Sequence, residues 1–206
     1  MKLILFGGAE SGQAVAEIKM IGKVINRLQP KQVLHIPFAR VMTNEADWTG
    51  DWFGRNIVLE GSVYLNAAND EDIVAAQSPL IFMSGGGQST NLMNELVARP
   101  ALLELVKNAE YIIGESAGSK ILAEYFRYTE PGGPNEMFKG LGIIKDTVIE
   151  PHYTERNRQQ LLVEAMQKTG IRYGVGIDAL TAMEFDLDKF PNEYTKIGDG
   201  LIEIRQ

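Results

Sequence analysis

Six short runs of β-branched or apolar residues, Leu3–Phe6, Val33–Ile36, Leu80–Met83, Tyr111–Ile113, Thr147–Ile149 and Gly174–Ile177, alternate with longer segments of helical spacing. Strands that run apolar throughout are buried on both faces, and helices between them supply the crossovers that parallel pairing needs. The pattern predicts an α/β fold with a mainly parallel sheet covered on both sides. Helices are expected over Gln13–Leu28, Asn91–Ala98, Ala101–Asn108, Ala117–Arg127 and Glu155–Lys168, the last closed by Gly170 as C-cap. From Ala179 to Gln206 short strands surround the turn formers Pro191-Asn192 and Gly198-Asp199-Gly200, which reads as an antiparallel addition at the sheet edge. No repeat or long linker divides the chain, so residues 1–206 are expected to form one domain. The Glu130–Asn135 loop belongs on the surface, as a lid or a connection, and Trp48 and Trp52, four apart, are expected in the core.

Composition removes several classes of function. The 206 residues include no cysteine, which excludes disulfides, thiol catalysis and cysteine zinc sites. A net charge of −7 and the lack of any Lys/Arg run argue against nucleic acid as a partner. Leu3–Phe6 is followed at once by Gly7-Gly8, too short an apolar stretch for an export signal or a membrane span, so a cytoplasmic location is expected. Gly7-Gly8-Ala9-Glu10-Ser11-Gly12 loosely resembles a dinucleotide-binding turn, but Val33–Ile36 lacks the ribose-binding acid at its end. No phosphate-binding G-x-x-x-x-G-K-[ST] run exists. Glu184, Asp186, Asp188 and Glu193 lack the glycine of a calcium loop and read as a solvated face, so neither metal nor cofactor is expected.

The chemistry concentrates at strand ends. Gly114-Glu115-Ser116-Ala117-Gly118 follows an apolar run and opens a helical segment, the strand–turn–helix setting that gives a G-x-S-x-G pattern meaning. Ser116 is the candidate nucleophile, and Ala117 supplies one main-chain N–H to an oxyanion hole. The glycines of Ser84-Gly85-Gly86-Gly87-Gln88 let bare backbone approach a substrate, so Gly86 or Gly87 is the second donor. Only two histidines are present. His35 lies within an apolar run and reads as core, whereas His152 lies between a strand and a helix and is the candidate base. Asp178, at the end of Gly174–Ile177, is chosen to orient the imidazole, with Glu155, Asp146 and Glu184 as competitors. The glycine turn, Ser116, His152 and Asp178 each follow a different apolar run, and the carboxyl ends of parallel strands share one edge, where ligands bind.

With these residues in hand, the chain resembles the peptidase E (aspartyl dipeptidase) and cyanophycinase family of serine hydrolases. The resemblance rests on Leu5-Phe6-Gly7-Gly8, Gly85-Gly86-Gly87-Gln88-Ser89, Gly114-Glu115-Ser116-Ala117-Gly118, Glu150-Pro151-His152-Tyr153-Thr154 and the strand ending at Asp178. It implies a three-layer αβα fold related to class I glutamine amidotransferases, and a Ser116–His152–acid triad with Asp178 where other members carry Glu. Peptidase E has an aromatic residue before its serine and an Asn-Thr pair after the glycines; this chain has Glu115 and Gln88-Ser89. Substrate contacts are assigned to Glu115, Gln88 and Arg156. The expected activity is cleavage of short peptides by acyl transfer, in a monomer or homodimer. An esterase or amidase on the same machinery, or a non-catalytic binding protein on this scaffold, are the alternatives.

Overall fold

The computed structural model describes residues 1–40, 51–128 and 136–206. Trp48 and the Glu130–Asn135 loop lie outside them, and with them the expected pairing of Trp48 with Trp52. The strands, in chain order, are β1 (Lys2–Phe6), β2 (Gln32–Ile36), β3 (Val63–Asn66), β4 (Leu80–Met83), β5 (Tyr111–Glu115), β6 (Ala123–Arg127), β7 (Met137–Lys139), β8 (Ile144–Pro151), β9 (Tyr173–Ile177), β10 (Ala182–Asp186), β11 (Thr195–Ile197) and β12 (Ile202–Arg205). The α-helices are α1 (Ala14–Leu28), α2 (Asp51–Asn56), α3 (Asp70–Ala75), α4 (Ser89–Ala98), α5 (Pro100–Lys107), α6 (Ala117–Lys120) and α7 (Gln159–Thr169).

All six apolar runs are strands, but they divide between two sheets. One is seven-stranded, in the order β11-β10-β1-β5-β4-β2-β3, and the other five-stranded, β12-β9-β8-β6-β7. Pairing is parallel through β1, β5, β4, β2 and β3 and again through β9, β8 and β6; β10 and β11 at the other edge of the first sheet, and β12 and β7 at the two edges of the second, pair antiparallel. The fold is therefore mixed α/β, with helices packed around mainly parallel sheets. The tail strands do extend sheet edges, β10 and β11 on the first sheet and β12 on the second.

Period-two alternation sorts the core. Ile4 and Phe6 face one side of the first sheet, where Ile18, Ile21, Val24 and Ile25 of α1 and Phe53 of α2 cover them. Leu3 and Leu5 face the other side, against Leu92 and Leu96 of α4 and Leu102 and Val106 of α5. That second core runs on without a break into Ile149, Val175 and Ile177 of the five-stranded sheet, whose far face is closed by Leu162 and Ala165 of α7. Gly170 caps α7 in the left-handed region, at φ 70°.

The helix expected over Glu155–Lys168 begins only at Gln159, and another is cut short at its other end. Ala117–Arg127 forms only one turn, α6, before the chain re-extends as β6. Tyr125 and Phe126 favour strand, and pairing with β7 and β8 satisfies backbone groups that a longer helix would have satisfied internally.

Candidate active site

The turn after β1 is the hub of the site. Ser116 donates its N–H to Phe6 O, His152 to Gly7 O and Leu180 to Gly8 O, at 3.0, 2.9 and 2.9 Å. Three segments from both sheets are thus hung on three successive carbonyls. Gly8, at φ +97°, passes so close that a Cβ there would stand 2.5 Å from the His152 ring and 3.0 Å from Ser116 Cβ.

Ser116 follows β5 with φ 48° and ψ −101°, a conformation that costs a non-glycine residue roughly 1–3 kcal/mol. The surroundings hold it there. Ser119 Oγ bonds Phe6 O and Gly114 O, both at 2.8 Å, and a Cβ on Gly118 would stand 2.2 Å from Met83 O. His152, at φ 50°, follows β8, and its Nε2 lies 2.9 Å from Ser116 Oγ. The structure thus brings the two residues chosen from the sequence into hydrogen-bond contact.

The carboxylate at the other ring nitrogen is that of Glu10, whose Oε1 is 2.8 Å from His152 Nδ1 and 2.7 Å from Arg156 Nε. The contact with Nδ1 is short but lacks the alignment of a hydrogen bond. Asp178 does not take this place. One of its oxygens accepts the N–H and hydroxyl of Thr154, both at 2.9 Å, and the other accepts Leu201 N–H at 2.8 Å, so it ties the His152 loop to the tail. The competitors are also engaged elsewhere: Glu155 on Ala179 N–H, Asp146 on Arg172 N–H, and Glu184 on Lys2 and Arg27. Glu10 was missed because the acid was sought in the last third of the chain, whereas Glu10 follows the first strand. Its signal was the rule that found the others, since it too lies just past the carboxyl end of a strand.

His152 is buried, and burial, reinforced by Arg156 and Arg158 against the opposing pull of Glu10, lowers its pKa to about 4. Burial pushes the Glu10 carboxyl up, but Arg156 and His152 outweigh it and hold the group below its usual value. His35 is the core residue expected: it is fully buried between Tyr64 Oη at 3.1 Å and Ser84 Oγ at 3.0 Å, and burial takes its pKa down to about 3.

Ser116 and His152 open into a cavity of about 430 Å³ that Gly85, Gly86, Gly87 and Ala117 also line. Gly85 donates its N–H to Glu115 Oε2 at 2.9 Å, while Gly86 and Gly87 are exposed. Of the expected substrate contacts, Glu115 and Arg156 line this cavity. Gln88 does not: it is the N-cap residue of α4, its N–H bonded to Ala39 O. The cavity also carries Glu17, Arg40, Lys120 and Arg158. Beneath it lies a buried ion cluster, with Arg127 held by both oxygens of Glu150 at 2.8 Å and Arg158 3.5 Å from the same carboxylate. Among the described residues no His/Asp/Glu group is arranged to hold a metal, and no helix is long and apolar enough to cross a membrane.

The cyanophycinase of Geminocystis herdmanii is 31% identical over 133 residues, 60% of this chain and 48% of the relative. That of Synechococcus elongatus is 34% identical over 134 residues, 59% of this chain and 41% of the relative. The matches therefore span less than half the length of these relatives. The crystal structure of a peptidase from an acI-B1 Actinobacterium superposes on all of this chain and 90% of its own, at a TM-score of 0.63 and 21% identity, which is a likeness of fold. The sequence pattern of peptidase family S51 matches residues 3–191, and the chain belongs to that family.

Proposed function

We propose that the protein is a serine peptidase that cleaves short peptides by acyl transfer. The observation that carries this reading is the 2.9 Å contact between Ser116 Oγ and His152 Nε2, made by two strained residues at the rim of one cavity. A neutral imidazole with its proton on Nδ1, toward Glu10, leaves Nε2 free to accept the serine proton. Ser116 then attacks the scissile carbonyl, and His152 returns the proton to the leaving amine. The N–H of Ala117 and of Gly86 or Gly87 stabilise the oxyanion. Glu10 takes the orienting role, with Asp178 holding the loop that carries the base. A cavity of this size suits a short peptide, and its cations, Lys120 and Arg158 buried among them, favour a substrate with a carboxylate. Kinship with cyanophycinases supports a peptide over an ester.

A fluorophosphonate probe is expected to label Ser116 stoichiometrically and to lose that reaction in His152→Ala protein. Ser116→Ala should cut peptide turnover on the order of 10⁴-fold or more without loss of fold. Unchanged turnover in either variant refutes the reading.

A further inference from the structure

The catalytic scheme leaves one buried acid without a role. Glu17 lies on the face of α1 that packs inward, is 2% exposed, and lines the same cavity as Ser116. One oxygen of its carboxyl group, Oε1, has no hydrogen-bond partner among the described residues. The group meets the Gly8 N–H and the carboxyl of Glu115, the residue beside the nucleophile. Glu115 in turn accepts Gly85 N–H at 2.9 Å and faces Arg40 Nη2 at 3.4 Å. Among the described residues, two carboxyl groups thus share a water-poor wall with one guanidinium. If both are ionised these three groups carry a net charge of −1, which burial penalises strongly.

We infer that Glu17, with Glu115, is the receptor for the positively charged amino terminus of the substrate, and that Glu17 gives up a proton when the ammonium group arrives. The inference rests on the short-peptide reading above and gives it a specificity residue. In the empty site a protonated Glu17, an ionised Glu115 and Arg40 sum to zero. In the occupied site two carboxylates face Arg40 and the ammonium, and the sum is again zero, with the displaced proton passing to the buffer. The groups that face Glu17 agree: burial first, then the Glu115 carboxylate, raise its pKa to about 9, while Arg40 and the Gly8 N–H pull it down. Lys120, His152, Arg156 and Arg158 line the remainder of the cavity and leave the acid pair as its anionic end.

The test is calorimetric titration of Ser116→Ala protein, which binds without turnover, with alanyl-alanine and with N-acetyl-alanyl-alanine in buffers of different ionisation enthalpy. At pH 6.5 the free peptide is almost wholly an ammonium. Alanyl-alanine is expected to release close to one proton, and its Kd should tighten about tenfold per pH unit from 6 to 7.5. The acetylated peptide should release none and show no such slope. Adding Glu17→Gln, an isostere of the protonated acid, should abolish the release and bring the free peptide to the affinity of the acetylated one. Binding of alanyl-alanine without proton release, or release that survives Glu17→Gln, overturns the assignment; so does failure of both peptides to bind. Fluorophosphonate labelling of Ser116 in wild-type protein judges the peptidase reading separately. If Glu17→Gln does not fold, the pair of peptides in the Glu17 protein still decides the question.

Discussion

Ser116 and His152 both sit at positive φ, and both are held there by hydrogen bonds to the turn after β1. Such strain persists only where the surroundings over-determine it, and here it aims a hydroxyl at a ring nitrogen. The low pKa of His152 keeps the ring a neutral base down to acid pH. For Ser116 labelling by a fluorophosphonate, which carries no ammonium group and does not draw on the Glu17 proton, the acid limb is therefore expected near pH 4, well below the 6.5 of a free imidazole. Arg156→Gln removes a charge that lowers this pKa and should move the limb to higher pH; a pH–rate series on both proteins checks it. The same shift acts on stability. Between pH 6.5 and about 4 the unfolded chain gains a proton at this site that the folded one refuses, so stability falls as pH falls through that window. The contrast between Glu10 and Asp178 is equally direct. Glu10→Gln should lower kcat on the order of 10²-fold with little change in stability. Asp178→Asn, which disturbs three accepted hydrogen bonds, should cost roughly 1–3 kcal/mol of stability with a smaller loss of kcat. The reverse pattern, from paired denaturation and kinetic measurements, would restore Asp178 to the histidine. The meeting of Ser116 and His152 was legible in the sequence because each directly follows an apolar run that periodicity marks as a strand, and strand carboxyl ends are where parallel sheets gather such groups. Glu17 was not, although its sign was present: it shares the inward stripe of α1 with Ile21, Val24 and Ile25, where a carboxylate needs a reason.

At the scale of elements, the apolar runs were legible because burial on both faces leaves a strand few other compositions. Their division into two sheets was not, since periodicity reports a local state and says nothing of which neighbour a strand pairs with. The turn of α6 into β6 shows the same limit: Ala117–Arg127 carries helical spacing, and pairing with β7 and β8 overrides it. β6 and β8 are also joined by charge, through Arg127 and Glu150, with Arg158 beside them ahead of α7. Glu150→Ala leaves two nearly buried guanidiniums without their carboxylate and should cost about 3–5 kcal/mol in a urea titration. Because Glu150 stands two residues before His152, kcat should fall as well. A Glu150→Ala protein as stable as the parent would show that the cluster is solvated.

In the whole molecule, the nucleophile comes from the seven-stranded sheet and the base from the five-stranded one, and one core continues between them. Loss of labelling at Ser116 and loss of far-ultraviolet circular dichroism should accordingly follow the same denaturant curve. A labelling loss that precedes unfolding would mean that the sheets separate while each remains folded. The three carbonyls of Phe6, Gly7 and Gly8 make this junction strict, because the backbone that fixes one reacting group also fixes the other. A nascent or damaged chain that has finished only one half holds an inert alcohol or an inert ring, so peptide-cutting power arises at the last step of assembly and disappears at the first step of decay.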